Sequence, residues 1–183
     1  MMTYPLKIFD DFICPTYYRN VRDFLCGTTC DWFYQDDLSQ TKSGKVEEFG
    51  FGRNIFELPD GATTPNNIFF LPLLYQIQDA VNGSSIVRAR GDLTTLKHSF
   101  QHSPHVDIVD ITQPYITTIF YVNDSDGDTV VFNETNRSYE YTEQKRIQPK
   151  ANRLLTFDGK FYHTGSSPTK HSIRVVINSN YTQ

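Results

Sequence analysis

The sequence contains little cysteine and no long apolar run. Its cysteines, Cys14, Cys26 and Cys30, form no C-x-x-C motif, so reduced thiols are expected in place of a disulfide framework or a zinc site. The most apolar segment, residues 68–74, is too short to cross a bilayer. Residues 1–12 lack the apolar stretch of a signal peptide. These absences predict a cytoplasmic protein with no membrane partner.

Positive charge is also scarce. The chain has 17 lysines and arginines against 21 acidic residues, a formal charge of −4 and an isoelectric point near 5.7. Broad nucleic-acid binding requires an excess of cations and is therefore not expected, although a local basic groove stays open. The length of 183 residues and the absence of repeats predict one domain over residues 1–183.

Runs of β-branched and aromatic residues predict a mainly β fold with supporting α-helices. Helices are expected from Pro15 to near Gly27 and from Pro72, or from Pro65 with a kink, to Gly83. They should provide helical and loop support within residues 1–85, ahead of a β core over about 86–180. Strands are expected at 115–123, 129–132, 153–157 and 172–178.

The pair His105 and Asp107 is the first candidate for chemistry. In a strand, residues two apart point to one face, so an imidazole and a carboxylate could bind one metal ion. His163 would complete a set of two histidines and one carboxylate, which is typical of non-haem Fe(II) oxygenases. The H-x-D pattern alone is weak. His102 could imitate a ligand, but the loop containing Pro104 argues against shared strand geometry.

Arg174 is the second candidate. Ile173, Val175 and Ile177 should share one face of the last strand, which places Arg174 on the opposite, inward face. A buried arginine needs an anion, and its planar guanidinium suits a carboxylate. A structural ion pair with an acidic side chain is the alternative.

The order of these motifs resembles the Fe(II)/2-oxoglutarate-dependent oxygenases, most of all their prolyl 4-hydroxylase-like branch and its compact bacterial and phage members. The resemblance covers roughly residues 86–178. It rests on H-x-D, a strand ending in Tyr-Val-Asn, an Asp-Gly hairpin leading to Thr-Val-Val-Phe, then His163 and Arg174. Collagen-type prolyl 4-hydroxylases use lysine where this chain has Arg174. That departure leaves the substrate open, but not the co-substrate.

The resemblance implies a double-stranded β-helix, a cupin-like jelly roll with iron in its mouth. His105, Asp107 and His163 would be the catalytic metal ligands, and Arg174 would bind 2-oxoglutarate. It implies that Fe(II), 2-oxoglutarate and dioxygen hydroxylate an unactivated carbon while 2-oxoglutarate is converted to succinate, with ascorbate as a supporting reductant. A phage origin would place the protein in the host cytoplasm.

By its motif position, Tyr121 is expected to lie inside the barrel with its hydroxyl near the co-substrate. A packed core tyrosine is the alternative. Thr117, on the same face of that strand, is a weaker candidate.

Segment 31–64 is expected to form part of the substrate rim, with Arg53 or Trp32 facing the iron, or else hydrophobic cover for the sheet. Arg88 and Arg90 share one strand face. They would either line the entrance or be ordinary surface charges.

The leading hypothesis is hydroxylation of a protein or peptide side chain, with proline the first residue to test. The alternatives are oxidation of a nucleobase or a small molecule on the same fold, and a jelly-roll binding module without catalysis. The complete set of His105, Asp107, His163 and Arg174 argues against the last alternative.

Overall fold

The structure, a computed structural model, describes residues 4–62, 64–98, 100–109 and 112–183. The helices are α1 (Pro15–Leu25), α2 (Pro65–Ile68) and α3 (Leu71–Val81), with a 3₁₀ turn at Val46–Glu48. The strands are β1 (Lys7–Phe9), β2 (Phe33–Gln35), β3 (Gly50–Glu57), β4 (Ser85–Thr95), β5 (Tyr115–Tyr121), β6 (Thr129–Phe132), β7 (Glu143–Ile147), β8 (Arg153–Asp158), β9 (His163–Gly165) and β10 (Ile173–Thr182).

The strands form two antiparallel sheets. The large sheet has seven strands in the order β1-β8-β5-β10-β4-β3-β2, and the small sheet has three in the order β7-β6-β9. β10 lies at the centre of the large sheet, paired with β4 on one side and β5 on the other. The predicted fold, a double-stranded β-helix with supporting helices, is confirmed.

The helices cover the outer face of the large sheet. α1 begins at Pro15, whose fixed φ suits a first helical turn, and it buries Val21 and Leu25, four residues apart. In place of one kinked helix, the chain forms α2 and α3 separately. Apolar side chains of α1 and α3 form one cluster with Val175 and Ile177 of β10, as the alternation along that strand predicts.

A second apolar cluster lies between the two sheets. Ile119 and Tyr121 of β5 meet Val131 of the small sheet and Val176 of β10 there. Side chains alternate along a strand. Each of β5 and β10 therefore contributes one set of side chains to the cluster beneath the helices and the other set to the space between the sheets. The candidate site occupies the polar end of that space.

Three expectations from the sequence need correction. Segment 31–64 is not wholly loop, because it contains β2 and the eight residues of β3. The support region 1–85 accordingly adds β1, β2 and β3 to the large sheet. Residues 103–108 form no regular strand; His105 makes an isolated bridge and Asp107 lies in a bend. Among the described residues, none of the helices combines the length and apolar character that a bilayer crossing requires.

Candidate metal centre

Two histidines meet across an isolated antiparallel bridge. The backbone N–H of His105 donates to the carbonyl of His163 at 3.0 Å, and that of His163 donates back at 2.9 Å. His163 begins β9, which is fixed in the small sheet by pairing with β6. The two imidazole centroids are 4.7 Å apart. The bridge therefore brings two side chains from distant parts of the sequence to one point.

Each imidazole has one nitrogen tied to the backbone and the other free. Nδ1 of His105 lies 3.0 Å from the carbonyl of Ser103, and Nδ1 of His163 lies 3.4 Å from that of Phe161. A carbonyl only accepts, so these contacts place the proton on Nδ1 and leave the Nε2 lone pair available. Nε2 of His163 is buried without a hydrogen-bond partner, as expected of a nitrogen oriented to bind a metal ion.

The electrostatics keep His105 neutral. Burial, followed by the proximity of His163, lowers the pKa of His105 to about 4. At neutral pH its imidazole is therefore unprotonated, which a metal ligand must be.

Asp107 is oriented by the large sheet rather than by a strand of its own. Asn178 Nδ2 donates to Oδ1 at 2.9 Å, while Asn180 Nδ2 and Thr117 Oγ1 donate to Oδ2 at 2.9 and 3.0 Å. Burial alone raises the pKa of this carboxyl, but the neighbouring His163, Arg88 and His105 outweigh it and hold the pKa well below its usual range. Asp107 is thus a carboxylate with a side chain only 2% exposed.

The three side chains could hold a metal ion. Their potential ligand atoms all lie within 4.8 Å of one another. Oδ1 of Asp107 is 3.5 Å from Nε2 of His163 and 3.9 Å from Nε2 of His105. Two neutral imidazoles and one carboxylate suit non-haem Fe(II) and leave coordination positions for other ligands. The expected juxtaposition of these three residues is present, although not through strand alternation.

Arg174 lies in the same pocket as the two histidines. This inner pocket has a volume of about 60 Å³, and its lining includes His105, His163, Thr129, Arg174, Val176 and Asn178. Arg174 is 6% exposed, and its guanidinium donates to Thr129 Oγ1 at 2.9 Å. Cβ of a side chain at Gly165 would lie 3.3 Å from the guanidinium nitrogens, so glycine leaves space beside them.

Arg174 lacks the structural ion pair that was its alternative explanation. Within the described ranges, no carboxylate oxygen lies within 4.0 Å of its guanidinium nitrogens, and its Nε is buried without a partner. Burial lowers the pKa of Arg174, yet arginine stays protonated in proteins. A buried and uncompensated cation is costly, so the pocket is suited to an anion.

Tyr121 lies behind Thr129 rather than in the lining of the pocket. Its hydroxyl donates to Thr129 Oγ1 at 2.8 Å, the same oxygen that Arg174 contacts. Burial raises the pKa of Tyr121 to about 12, so the phenol remains a donor. The inward position is confirmed, whereas direct contact with a co-substrate stays a prediction.

Sequence reasoning missed Glu48, which fixes the loop before His105. The side chain of Glu48 is buried and accepts hydrogen bonds from His102 Nδ1 at 3.1 Å, Ser103 N at 2.9 Å, Ser103 Oγ and Ser39 Oγ at 3.0 Å. Burial raises its pKa, but these donors outweigh burial and lower the pKa of Glu48 to about 2. His102 thus supports the loop rather than imitating a ligand. A Glu-Glu pair in an irregular segment carries no pattern that would have revealed this role.

Arg53 and Trp32 do not face the metal centre. Arg53 donates to Asn67 at 3.0 Å and lies over the Phe24 ring at 5.2 Å, on the helix-facing side of the sheet. Trp32 Nε1 donates to the carbonyl of Leu25 at 3.2 Å, at the end of α1. The prediction that either residue faces the iron is wrong, because the pleat of β3 and the packing of α1 turn both away.

Arg88 and Arg90 point toward the entrance. Both line a second cavity, the outer cavity, of about 650 Å³, which also contacts His105 and Asp107. Arg90 pairs with Asp92 at 2.7 Å, and Arg88 lies 3.6 Å from Asp107. Of the two readings of these arginines, the structure supports the one that placed them at the entrance.

Comparison with known proteins agrees with this geometry. The sequence profile described as 2OG-Fe(II) oxygenase superfamily matches residues 92–182, a range that contains all three potential metal ligands and Arg174. Curated proteins yield no match to the chain. The chain belongs to the 2OG-Fe(II) oxygenase superfamily, a class of oxidoreductases.

Several solved structures share the fold. One is an oxidoreductase of the 2OG-Fe(II) oxygenase family from Burkholderia pseudomallei, 12% identical, with a TM-score of 0.70 and coverage of 97% of this chain and 84% of that one. Another is a prolyl hydroxylase from Trichoplax adhaerens in complex with a peptide fragment of the hypoxia inducible factor oxygen degradation domain, 12% identical, TM-score 0.66, covering 98% and 84%. A third is HygX from Streptomyces hygroscopicus with nickel and 2-oxoglutarate bound, 12% identical, TM-score 0.62, covering 97% and 82%. At these identities the likeness shows the fold alone.

Proposed function

We propose that the protein is an Fe(II)- and 2-oxoglutarate-dependent dioxygenase that hydroxylates a protein or peptide side chain, with proline the first residue to test. The observation that carries the proposal is the inner pocket. It combines the free nitrogens of His105 and His163 with a buried Arg174 that has no carboxylate partner among the described residues.

Fe(II) would be held by His105, Asp107 and His163, and the distal carboxylate of 2-oxoglutarate by Arg174. Thr129 would fix the guanidinium through the 2.9 Å hydrogen bond. A planar guanidinium with a buried, unused Nε–H can donate bidentately to a carboxylate. Tyr121 would in turn orient Thr129 through the hydrogen bond from its hydroxyl to Thr129 Oγ1.

When bound, Fe(II) with 2-oxoglutarate and dioxygen supplies the oxidation that converts C–H to C–OH, with succinate and carbon dioxide as co-products. The protein contributes geometry and exclusion of water. Asn178, Asn180 and Thr117 orient the Asp107 carboxylate, and the walls of the inner pocket are mostly buried. No side chain need act as a nucleophile.

A peptide substrate is supported by the shared fold with a prolyl hydroxylase solved with a peptide fragment. The outer cavity favours a second candidate, oxidation of a free small molecule, because about 650 Å³ lies within the usual range for small-ligand sites. Both candidates use the same metal centre and differ only in what occupies the outer cavity.

The test is an anaerobic titration of Fe(II)-loaded protein with 2-oxoglutarate, monitored by the weak visible charge-transfer band of the chelate. Wild type should develop the band. Asp107→Ala should lose metal binding, whereas Arg174→Ala should keep Fe(II) but bind 2-oxoglutarate about 10–100-fold more weakly, since it loses charge-assisted hydrogen bonds.

Asp79→Ala and Arg19→Ala are matched controls, because both residues are exposed on helices. They should behave as wild type. No band in folded, iron-loaded wild type would contradict the proposal and favour a binding module, and equal co-substrate affinity in Arg174→Ala would refute the role of Arg174.

A further inference from the structure

The outer cavity is lined by cations, in contrast to the acidic chain as a whole. It lies between residues 38–43, the loop at 103–109 and the segment around Arg137–Tyr141, and it opens onto the metal centre. Among the described residues, its charged lining comprises Lys42, Arg88, Arg90, Arg137 and one carboxylate, Asp107. We infer that this cavity accepts a substrate that carries a carboxylate group, held chiefly by Arg88. The inference rests on the proposed function and specifies its substrate class.

Arg88 is held beside the metal centre with one side open to the cavity. Its Nε donates to Asn180 Oδ1 at 3.0 Å, and a terminal nitrogen lies 3.6 Å from Asp107 Oδ1. The side chain retains 22% exposure. Once Asp107 binds a metal cation, its negative charge is shared with that ion. Arg88 then has a positive charge that a substrate anion can neutralise.

Arg90 provides the internal contrast. It belongs to the same face of β4, but it pairs with Asp92 at 2.7 Å and donates to the carbonyl of Leu38 at 3.1 Å. Its charge is therefore already compensated within the protein. Of the two arginines, Arg88 is the one with unused binding capacity toward the cavity.

Arg88 and Arg174 lie at separate positions along the large sheet. Arg174 is opposite Thr94 in the β10–β4 pairing, whereas Arg88 is opposite Asn180. Asn178 and Asn180, which bind Asp107, lie four and six positions along β10 from Arg174. At about 3.3 Å per residue, the backbone positions are about 13 Å or more apart. A substrate carboxylate at Arg88 would therefore not compete with a co-substrate carboxylate at Arg174.

The rim of the outer cavity adds two further cations and an aromatic wall. Lys42 and Arg137 are exposed, and neither has an ion pair within 4.0 Å in the part of the chain that the structure describes. The rings of Tyr141 and Tyr162 lie 5.3 Å apart, centroid to centroid. This lining suits a molecule with an apolar body and one or two negative groups.

A nucleic acid fits these observations less well. One strand of duplex DNA presents a phosphate about every 3.4 Å of helix axis, whereas the described lining offers only Lys42, Arg88 and Arg137 to an anion, and the net charge of the chain is −4. The carboxylate would come from an acidic side chain of a peptide or from a free organic acid.

The test uses the full chain loaded anaerobically with Fe(II) and 2-oxoglutarate, so that the chelate band reports the metal centre in the same sample. Three short fluorescent peptides, identical except that the central proline is flanked by Glu, Gln or Lys, are titrated by fluorescence anisotropy. We expect the Kd of the Glu peptide to be about tenfold lower than that of the Gln peptide, a factor typical of one charge-assisted contact. The Lys peptide should bind most weakly.

Arg88→Gln should remove most of the preference for Glu, Arg137→Ala a smaller part and the distant Arg19→Ala none. Added NaCl should weaken the contribution of the exposed Arg137 more than that of Arg88. Displacement of the Glu peptide by unlabelled N-acetylglutamate, with the chelate band intact, would identify a free acid as the source of the carboxylate. Displacement by the unlabelled peptide alone would identify an acidic side chain.

Equal Kd values for the three peptides in a sample that shows the chelate band would overturn the inference while leaving the proposed function intact. So would a preference for Glu that persists in the double variant Arg88→Gln/Arg137→Ala. Tighter binding of a thymidine oligonucleotide than of the Glu peptide would also overturn it, in favour of a nucleic-acid substrate. Absence of the chelate band in wild type would instead contradict the proposed function.

Discussion

Both faces of β10 are buried, but most of the buried polar groups that concern the candidate site lie on one of them. Val175 and Ile177 pack against the helix layer, whereas Arg174, Asn178 and Asn180 point between the sheets. Burial of the first set stabilises the fold by removing apolar surface from water. Burial of the second set is costly unless each polar group has a partner. Burial alone therefore does not distinguish structural from functional positions, whereas the polarity of what is buried does.

The largest effect on stability is expected from a substitution on the apolar face of β10. Ile177→Ala should lower the free energy of unfolding by about 2–5 kcal/mol, since it deletes side-chain volume from a packed cluster. Chemical denaturation measures this change, and the metal affinity of the folded fraction should remain that of wild type.

Ile68→Ala makes the same chemical change at a half-exposed position of α2 and should cost far less. If Ile177→Ala does not fold, Ile177→Val should show about 0.5–1.5 kcal/mol. A large loss of metal affinity in a folded Ile177 variant would show that the two faces are not independent.

On the polar face, Asn180→Ala should act mainly on the metal centre. It removes the 2.9 Å hydrogen bond to Asp107 and a 3.1 Å bond to Thr117, so metal affinity should fall about 10–100-fold, as is usual when the partner of a ligand is lost. Competition with a chelating dye measures the Kd directly. Asn20→Ala, at an exposed position, is the control, and unchanged metal affinity in Asn180→Ala would contradict the positioning role.

The third prediction concerns Glu48, a buried polar residue that does not belong to β10. Glu48→Gln should lower the free energy of unfolding at pH 7 by about 1–3 kcal/mol, because it weakens hydrogen bonds to a buried carboxylate. The pKa of Glu48 lies near 2, below its ordinary 4.5. Its contribution to stability is therefore complete above about pH 4.5 and is lost as the pH falls toward 2.

The stability difference between wild type and Glu48→Gln should accordingly shrink over that acidic range. Glu47→Gln, one residue earlier and exposed, should show no such difference. A gap between wild type and Glu48→Gln that stays constant down to pH 2 would contradict the assigned protonation.

Much of the β core was predictable because its signals are local. β6 matches its predicted range, and the alternation of β10 placed Arg174 inward correctly, although the strand continues to Thr182. The bounds of β7 could not be predicted because the strand is almost wholly exposed and lacks alternation, and β9 was missed because it has only three residues. That residues 1–183 form one domain, and that the protein is cytoplasmic, stay predictions.

The residues of the candidate site could be predicted from the sequence, but the side chains that support them could not. The set His105, Asp107, His163 and Arg174 follows from residue types and order, whereas the partners of Asp107 depend on which strands become neighbours. Arg53 is a residue that the sequence suggested for the site and that the structure places elsewhere. It is conspicuous in a glycine-rich run, yet the register of β3 against β4 turns it toward the helices, and that register is not encoded locally.

The bridge between His105 and His163 has a consequence for the whole molecule. His163 belongs to the small sheet, and Asp107 is tethered to the large one. A metal ion bound by both residues would link the two sheets. A ligand that binds only the folded state stabilises that state by mass action. Metal binding would therefore oppose separation of the two sheets, so the ion would contribute to stability as well as to chemistry.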